Sequence, residues 1–392
     1  MVILIGSWLL LPEISNAKQD LYWLNRITST DALLVAYPDG RLLYKKNEAI
    51  KFVPASTLKL LTALCAIHYL DLSYRFKTEF YMDTSGNLKI KGYGDPLLVS
   101  EVWREIAHGL AKKIQGFKNL ILDDTYFSQP VIIPGTNHST NPYDAPVGAL
   151  CANFNTVFFD RDELGRIVSA EPQTPLIPYV RKKIRSLGLK KGRYTFTHDR
   201  CEAARYAGEL LLHFLRQEDV NSLDKIRPGV VKPGDKLIFT YRSKFTLDTA
   251  IKKMLEFSNN FMANQIFIAL GTHVYGPPGT LTKGVQAIYD YAGQELDLRG
   301  IKVVEGSGIS RKNQVSALDM LAILKRFKPY RHLLKTKDNT LFKTGSLKGI
   351  RTRVGYIEKN GRGPYCFVIF LNRPGPDMDK LMESVIGAIS RQ

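Results

Sequence analysis

Metal-binding and redox signatures are missing from this chain. Its four cysteines (Cys65, Cys151, Cys201 and Cys366) form no C-x-x-C pair, which removes the zinc-ribbon and thioredoxin-type motifs. Cys65 and Cys366 lie in apolar segments and read as buried thiols. A pairing of Cys151 with Cys201 stays open. None of the seven histidines stands in H-E-x-x-H or H-x-x-E-H, so the helix-borne zinc peptidases are unsupported. His68 falls on the apolar side of a predicted helix and is expected in the core. Gly306-Ser307-Gly308 is not G-x-S-x-G, so the hydrolase elbow is absent. Gly276-Pro277-Pro278-Gly279-Thr280 lacks the Gly-Lys-Ser/Thr ending of a phosphate loop and reads as an ordinary loop. Any hydrolytic chemistry would have to run without these histidine and metal motifs.

Acidic residues are also short: 37 Asp and Glu face 55 Lys and Arg, a formal charge of +18. Such a balance favours an anionic partner. The basic residues are spread along the chain, as at Lys112-Lys113, Lys182-Lys183 and Lys190-Lys191, which is the pattern of solvated faces. No zinc-finger spacing, basic helix or aromatic RNA-binding signature accompanies them, so nucleic acid is not the expected partner. An anionic wall polymer or membrane surface would also fit, were the protein exported.

At 392 residues, with 44% hydrophobic and 23% charged residues, the chain reads as a soluble globular protein of two domains. Val2 to Leu11 is almost wholly apolar, Pro12 ends it, and Ser15-Asn16-Ala17 offers small residues to a signal peptidase. The run is short for a bilayer span. Residues 1–17 are therefore expected to be a signal peptide, with export to the periplasm or cell wall; a buried first strand or helix is the alternative.

Asp31 to Tyr37 and Arg41 to Lys45 flank the turn Pro38-Asp39-Gly40 and predict a hairpin. From Leu58 to Ile67 the apolar residues keep helical spacing, which puts Ser56 at a helix start with Lys59 on the same face. Short strands are expected within Lys77 to Gly94, a helix over Glu101 to Ile114, and strands over Lys118 to Asp123 and Phe154 to Phe159. Helices follow over Ala203 to Arg216 and Thr246 to Leu270, the second interrupted by Ser258-Asn259-Asn260. Strands at Thr340 to Thr344, Arg353 to Ile357 and Cys366 to Leu371 precede a closing amphipathic helix, Met378 to Ile389. Residues 79–200 break the pattern of the flanks. They read as an inserted domain, with 18–78 and 201–392 folding together around it.

Three separated strings carry the chemistry. Ser56-Thr57-Leu58-Lys59 pairs a hydroxyl with an amine; the amine can take the proton only if burial and a nearby cation, here Lys343, keep it neutral. The helix start adds backbone N–H groups and partial positive charge where an oxyanion would form. Ser258-Asn259-Asn260 offers a second hydroxyl for proton relay and an amide to hold a peptide backbone. Lys343-Thr344-Gly345-Ser346 supplies a cation for a carboxylate and a bare strand edge on which a peptide can lie. Taken singly, each string also reads as a helix cap, a helix break or a strand-end turn.

In combination they resemble the penicillin-binding protein and serine β-lactamase superfamily. Within it the chain is similar to the class C low-molecular-mass penicillin-binding proteins, the D-alanyl-D-alanine carboxypeptidase/endopeptidase family. Further matching strings are Gly92-Tyr93-Gly94-Asp95-Pro96, Asp123-Asp124-Thr125-Tyr126-Phe127, Ala145-Pro146-Val147-Gly148-Ala149-Leu150, Asn153-Phe154-Asn155, Tyr206-Ala207-Gly208-Glu209-Leu210-Leu211 and Gly306-Ser307-Gly308-Ile309-Ser310. The resemblance implies an α+β transpeptidase-like domain, an antiparallel sheet between helix layers, carrying a smaller α/β insert between the first two strings. It implies Ser56 as acyl-ester nucleophile, Lys59 as base, Ser258 and Asn260 as the second motif, and Lys343 as carboxylate binder. Thr344, Gly345 and Ser346 would bind substrate, and the N–H groups of Ser56 and Ser346 would form the oxyanion hole. The expected reaction is cleavage of D-Ala-D-Ala, or of D-Ala cross-links, in peptidoglycan stem peptides. β-Lactams would act as covalent inhibitors, and neither metal nor organic cofactor is required. A β-lactamase and a non-catalytic wall-binding protein of the same fold are the rival readings. Glu305 and Ser346 stand where aspartate and threonine are common in the family.

Overall fold

A computed structural model describes residues 22–223, 225–359, 363–375 and 377–391; the expected signal peptide, 1–17, lies outside them. The chain opens with the predicted hairpin, β1 (Asp31–Ala36) and β2 (Leu42–Lys46), followed by α1 (Lys59–Leu70). It then builds β3 (Lys77–Met82), β4 (Leu88–Gly92), α2 (Ser100–Ala111), β5 (Asn119–Asp123), β6 (Thr156–Arg161), β7 (Ile167–Ser169), α3 (Pro178–Ser186), β8 (Gly192–Thr195), α4 (Arg200–Gln217), β9 (Lys225–Pro228) and β10 (Lys236–Arg242). Four helices return it to the first hairpin: α5 (Leu247–Glu256), α6 (Asn260–Tyr275), α7 (Leu281–Glu295) and α8 (Ala317–Phe327). Strands β11 (Lys335–Lys337), β12 (Thr340–Leu347), β13 (Ile350–Ile357) and β14 (Tyr365–Leu371) precede the last helix, α9 (Met378–Ser390).

The two ends of the chain share one antiparallel sheet, ordered β11-β12-β13-β14-β1-β2. Side chains on a strand alternate between faces, and here both faces are covered. Ala32, Leu34, Val368 and Phe370 join the large core beneath the helices, whereas Leu33, Val35, Phe367 and Ile369 join a second core under α9. That sandwiching is why β1 and β14 read as unbroken apolar runs. No helix among the described residues is long and apolar enough to cross a membrane.

Residues between α1 and α5 make a separate mixed sheet, β10-β3-β4-β5-β9, and a small one, β7-β6-β8. The parallel pairs β4–β5 and β5–β9 fit the expected α/β character. The boundary expected at 200 is corrected by strand pairing. β9 and β10 join β5 and β3, so this segment runs from Lys77 to Arg242 and takes in α4.

Two smaller expectations also change. His68 is exposed at the last turn of α1, its ring packed against Tyr69 and Tyr291 rather than in the core. Cys151 is buried and donates to the Asp95 carbonyl (3.3 Å), while Cys201 is exposed on α4; both are free thiols.

Candidate active site

Ser56 sits in a 3₁₀ turn, Ala55–Leu58, that feeds directly into α1. Ala55 before it holds φ 48°, a left-handed conformation costing about 1–3 kcal/mol for a residue with a side chain. Neighbours on every side fix that turn. Thr352 Oγ donates to the Pro54 carbonyl (2.8 Å). Gly308, at φ 82°, comes so close that a Cβ there would lie 1.9 Å from the Ala55 carbonyl oxygen. A Cβ at Gly345 would meet Thr352 Oγ1 at 2.3 Å and the Ser56 nitrogen at 2.8 Å. Glycine at 345 is what lets strand β12 lie against the serine.

Lys59 is fully buried, and its Nζ contacts Ser56 Oγ (2.9 Å), Asn260 Oδ1 (2.7 Å) and the Ser307 carbonyl (2.7 Å). Burial pushes its pKa well below the ordinary lysine value, the Lys343 charge adds to the fall, and Glu305 opposes it. The amine is thereby held ready to accept a proton.

The helix break is built by its own residues. Ser258 adopts φ 52°, and the Asn259 side chain caps α6 by accepting from the Met262 N–H (3.0 Å). Asn260 can then begin the helix facing Lys59. Lys343 donates to Ser258 Oγ (2.9 Å) and to the Thr344 carbonyl (2.7 Å), and burial lowers its pKa to about 8. Ser56, Lys59, Ser258, Asn260 and Lys343 thus meet in one cleft, with Gly345 against Ser56. Thr344 and Ser346 alternate to the other side of β12 and are exposed.

Sequence reasoning missed the loop beneath this cluster. Glu305 is buried, and its carboxylate accepts from Ser307 N (2.7 Å), Ser307 Oγ (2.6 Å), Gly308 N (2.8 Å), Asn264 Nδ2 (3.1 Å) and Asn313 Nδ2 (2.6 Å). That carboxylate shapes the turn which offers the Ser307 carbonyl to Lys59. Gln265, one turn into α6, exchanges hydrogen bonds with Gly148 N and O (3.3 and 2.5 Å), tying the catalytic helix to the insert. The signals in the sequence were the string Gly306 to Ser310 and the family position of Glu305, and neither named the acceptor for Lys59.

The comparisons fit this geometry. A family model described as D-Ala-D-Ala carboxypeptidase 3 (S13) matches residues 27–185 and 189–338, and a β-lactamase enzyme family model matches 292–392. D-alanyl-D-alanine carboxypeptidase DacB of Haemophilus influenzae is 24% identical over 407 residues, covering 85% of this chain and 83% of that protein. Carboxypeptidase Rv3627c of Mycobacterium tuberculosis is 22% identical over 402 residues, covering 91% and 78%. The crystal structure of penicillin binding protein 4 (dacB) from H. influenzae superposes with a TM-score of 0.71 at 18% identity, over 94% of this chain and 95% of that one. Bd3459, a predatory peptidoglycan endopeptidase of Bdellovibrio bacteriovorus, gives 0.54 at 16% identity, over 92% and 91%. The fold is that of penicillin-binding proteins and β-lactamases. By the extent of the S13 match, this chain belongs to the D-Ala-D-Ala carboxypeptidase 3 (S13) family and is a serine-type peptidase.

Proposed function

We propose that Ser56 Oγ attacks the carbonyl carbon between two D-alanines of a peptidoglycan stem peptide while Lys59 takes the hydroxyl proton. The observation that carries this reading is the 2.9 Å contact between Ser56 and a lysine whose burial favours the neutral amine. The N–H groups of Ser56 and Ser346 stabilise the tetrahedral oxyanion. Collapse breaks the C–N bond, and the leaving amine receives its proton through Ser258, which Lys343 polarises. D-alanine departs, leaving an acyl ester on Ser56, and water then releases the acyl chain. When the leaving amine belongs to a second stem peptide, the same steps open a cross-link.

Penicillins follow the same first step and stop at the ester. A β-lactamase would further need fast deacylation, usually through a water held by an extra carboxylate. Glu305, the carboxylate whose charge acts on Lys59, has both oxygens committed to its own loop. We infer export as well, since the substrate lies outside the cytoplasm; the basic surface suits the wall or a membrane face.

Intact-mass measurement after penicillin exposure tests the reading. The native protein is expected to gain one penicillin mass and Ser56→Ala none. A native protein that gains no mass and releases no D-alanine would overturn it.

A further inference from the structure

The insert holds a cavity of its own. It measures about 470 Å³ and opens where β5 and β9 end, beside the first turn of α4. These two strands run parallel, and loops leaving the carboxyl ends of parallel strands are where α/β sheets gather ligand-binding side chains. Leu122, Ile226, Pro228 and Val230 give the cavity apolar walls, and Val230 is exposed. None of the catalytic cluster lines it.

Most polar groups around this cavity are already occupied. Glu202 is bonded to Lys183 and to Thr197 Oγ1 (2.5 Å). Arg205 is held by Glu209 (3.0 Å) and lies over the Tyr179 ring. The Thr125 hydroxyl donates to Asp123 (2.6 Å). Two groups remain. Arg200 is exposed and forms no hydrogen bond or ion pair among the described residues. Asp124 accepts from Leu150 N (2.6 Å) and Gln129 Nε2 (3.1 Å), which leaves acceptor capacity on its carboxylate. Desolvation raises its pKa to about 7 while the nearby Arg200 charge opposes the rise, so a second cation beside it would hold it ionised.

That pair selects the ligand. A guanidinium without a partner suits a carboxylate, which its planar fork matches. A carboxyl poised near neutrality suits an ammonium. The walls between them suit an apolar group. A free amino acid with an apolar side chain carries all three on one carbon.

We propose that this cavity is a binding site for a free apolar amino acid. Its carboxylate lies on Arg200, its ammonium on Asp124 and its side chain against Leu122, Ile226 and Val230. The site is separate from the cleft and does not rest on the serine-peptidase reading.

Cys201 supplies the readout. It lines the cavity and is exposed, whereas Cys65, Cys151 and Cys366 are buried, so iodoacetamide marks it selectively. Alkylation of the full chain is followed by intact mass in the presence of leucine of either configuration, N-acetylleucine or leucinol. The second compound lacks the ammonium and the third the carboxylate. Leucine, in one configuration at least, is expected to protect Cys201 at a concentration about 10-fold or more below that needed of either analogue, because each analogue leaves one polar partner unpaired. Arg200→Gln, a change at an exposed residue, should abolish the protection, and Asp124→Asn should weaken it. No protection in the native protein, equal protection by all three compounds, or protection that survives Arg200→Gln overturns the site; should Asp124→Asn fail to fold, Arg200→Gln decides alone. Repeating the assay on the penicillin adduct locates the ligand. Undiminished protection puts it outside the cleft, and lost protection assigns it to the cleft and overturns the site. A native chain that forms no adduct yet is protected by leucine loses the peptidase reading and keeps this one.

Discussion

The buried groups pushed toward neutrality are cations in the cleft half and carboxyls in the insert. Beneath the nucleophile, Lys59 and Lys343 are cations pressed toward neutrality, with pKa values lowered by desolvation. In the insert, Asp95 is raised to about 6 and the partly buried Asp124 to about 7, again chiefly by desolvation. One physical cause yields opposite protonation behaviour because it disfavours whichever form is charged. In the cleft the outcome is an amine that can act as a base. In the insert it is two carboxyls biased toward the protonated form, of which Asp124 also accepts from Leu150 N (2.6 Å) and Gln129 Nε2 (3.1 Å).

Removing the central cation is expected to have the largest effect. Lys59→Met should slow acylation of Ser56 by penicillin by about 100- to 10,000-fold, the range for loss of a general base. Stopped-flow or mass-resolved acylation rates measure it, and a near-native rate would detach the amine from the chemistry. Lys343 gives a pH signature. It is protonated below about pH 8 and neutral above, so peptide kcat/KM should fall on the alkaline side near that value. In Lys343→Arg the limb should move beyond the measurable range, because arginine keeps its proton.

Breaking the link between the halves comes next. Gln265→Leu leaves the Gly148 N–H and carbonyl unpaired in the interior, a loss of about 1–3 kcal/mol. Chemical denaturation should show that loss, and acylation should slow because α6 starts at Asn260.

The smallest effect tests the sign difference directly. A carboxyl whose folded pKa is raised adds stability below its unfolded value near 3.9, and that contribution fades as pH rises through the folded value. Asp95 and Asp124 should therefore make stability decline between about pH 4 and 7. Lys343, lowered to about 8, should make it rise between about pH 8 and 10.4 as the buried ammonium is relieved. Asp124→Asn should flatten the acid-side decline by about 1–2 kcal/mol and leave the alkaline rise alone. Denaturation midpoints at pH 5, 7 and 9 distinguish the two slopes.

The same division marks what the sequence could disclose. Ser56 and Lys59 were legible because helical spacing is local, and the break at Ser258 because one polar tripeptide interrupts an apolar helix. β1 and β14 were legible as runs buried on both faces. The polar strands β9 and β10 were not: they gain their place by pairing with β5 and β3, over a hundred residues away. α7 and α8 also escaped notice. The Ser307 carbonyl had no signature at all, since a backbone acceptor looks alike at every position and only the Glu305 loop aims it. His68 misled for a related reason, because helical periodicity fails at the last turn, where the partner surface ends.

The bare strand position at Gly345 has an evolutionary consequence. Thickening that strand is an obvious way to keep a bulky antibiotic out, yet even a methyl group there would collide with the Ser56 nitrogen and Thr352. Any lineage that tried it would displace the proposed nucleophile, Ser56, along with the drug. Phe257, beside Ser258, is exposed, so a change of bulk there need not move the turn that holds the serine.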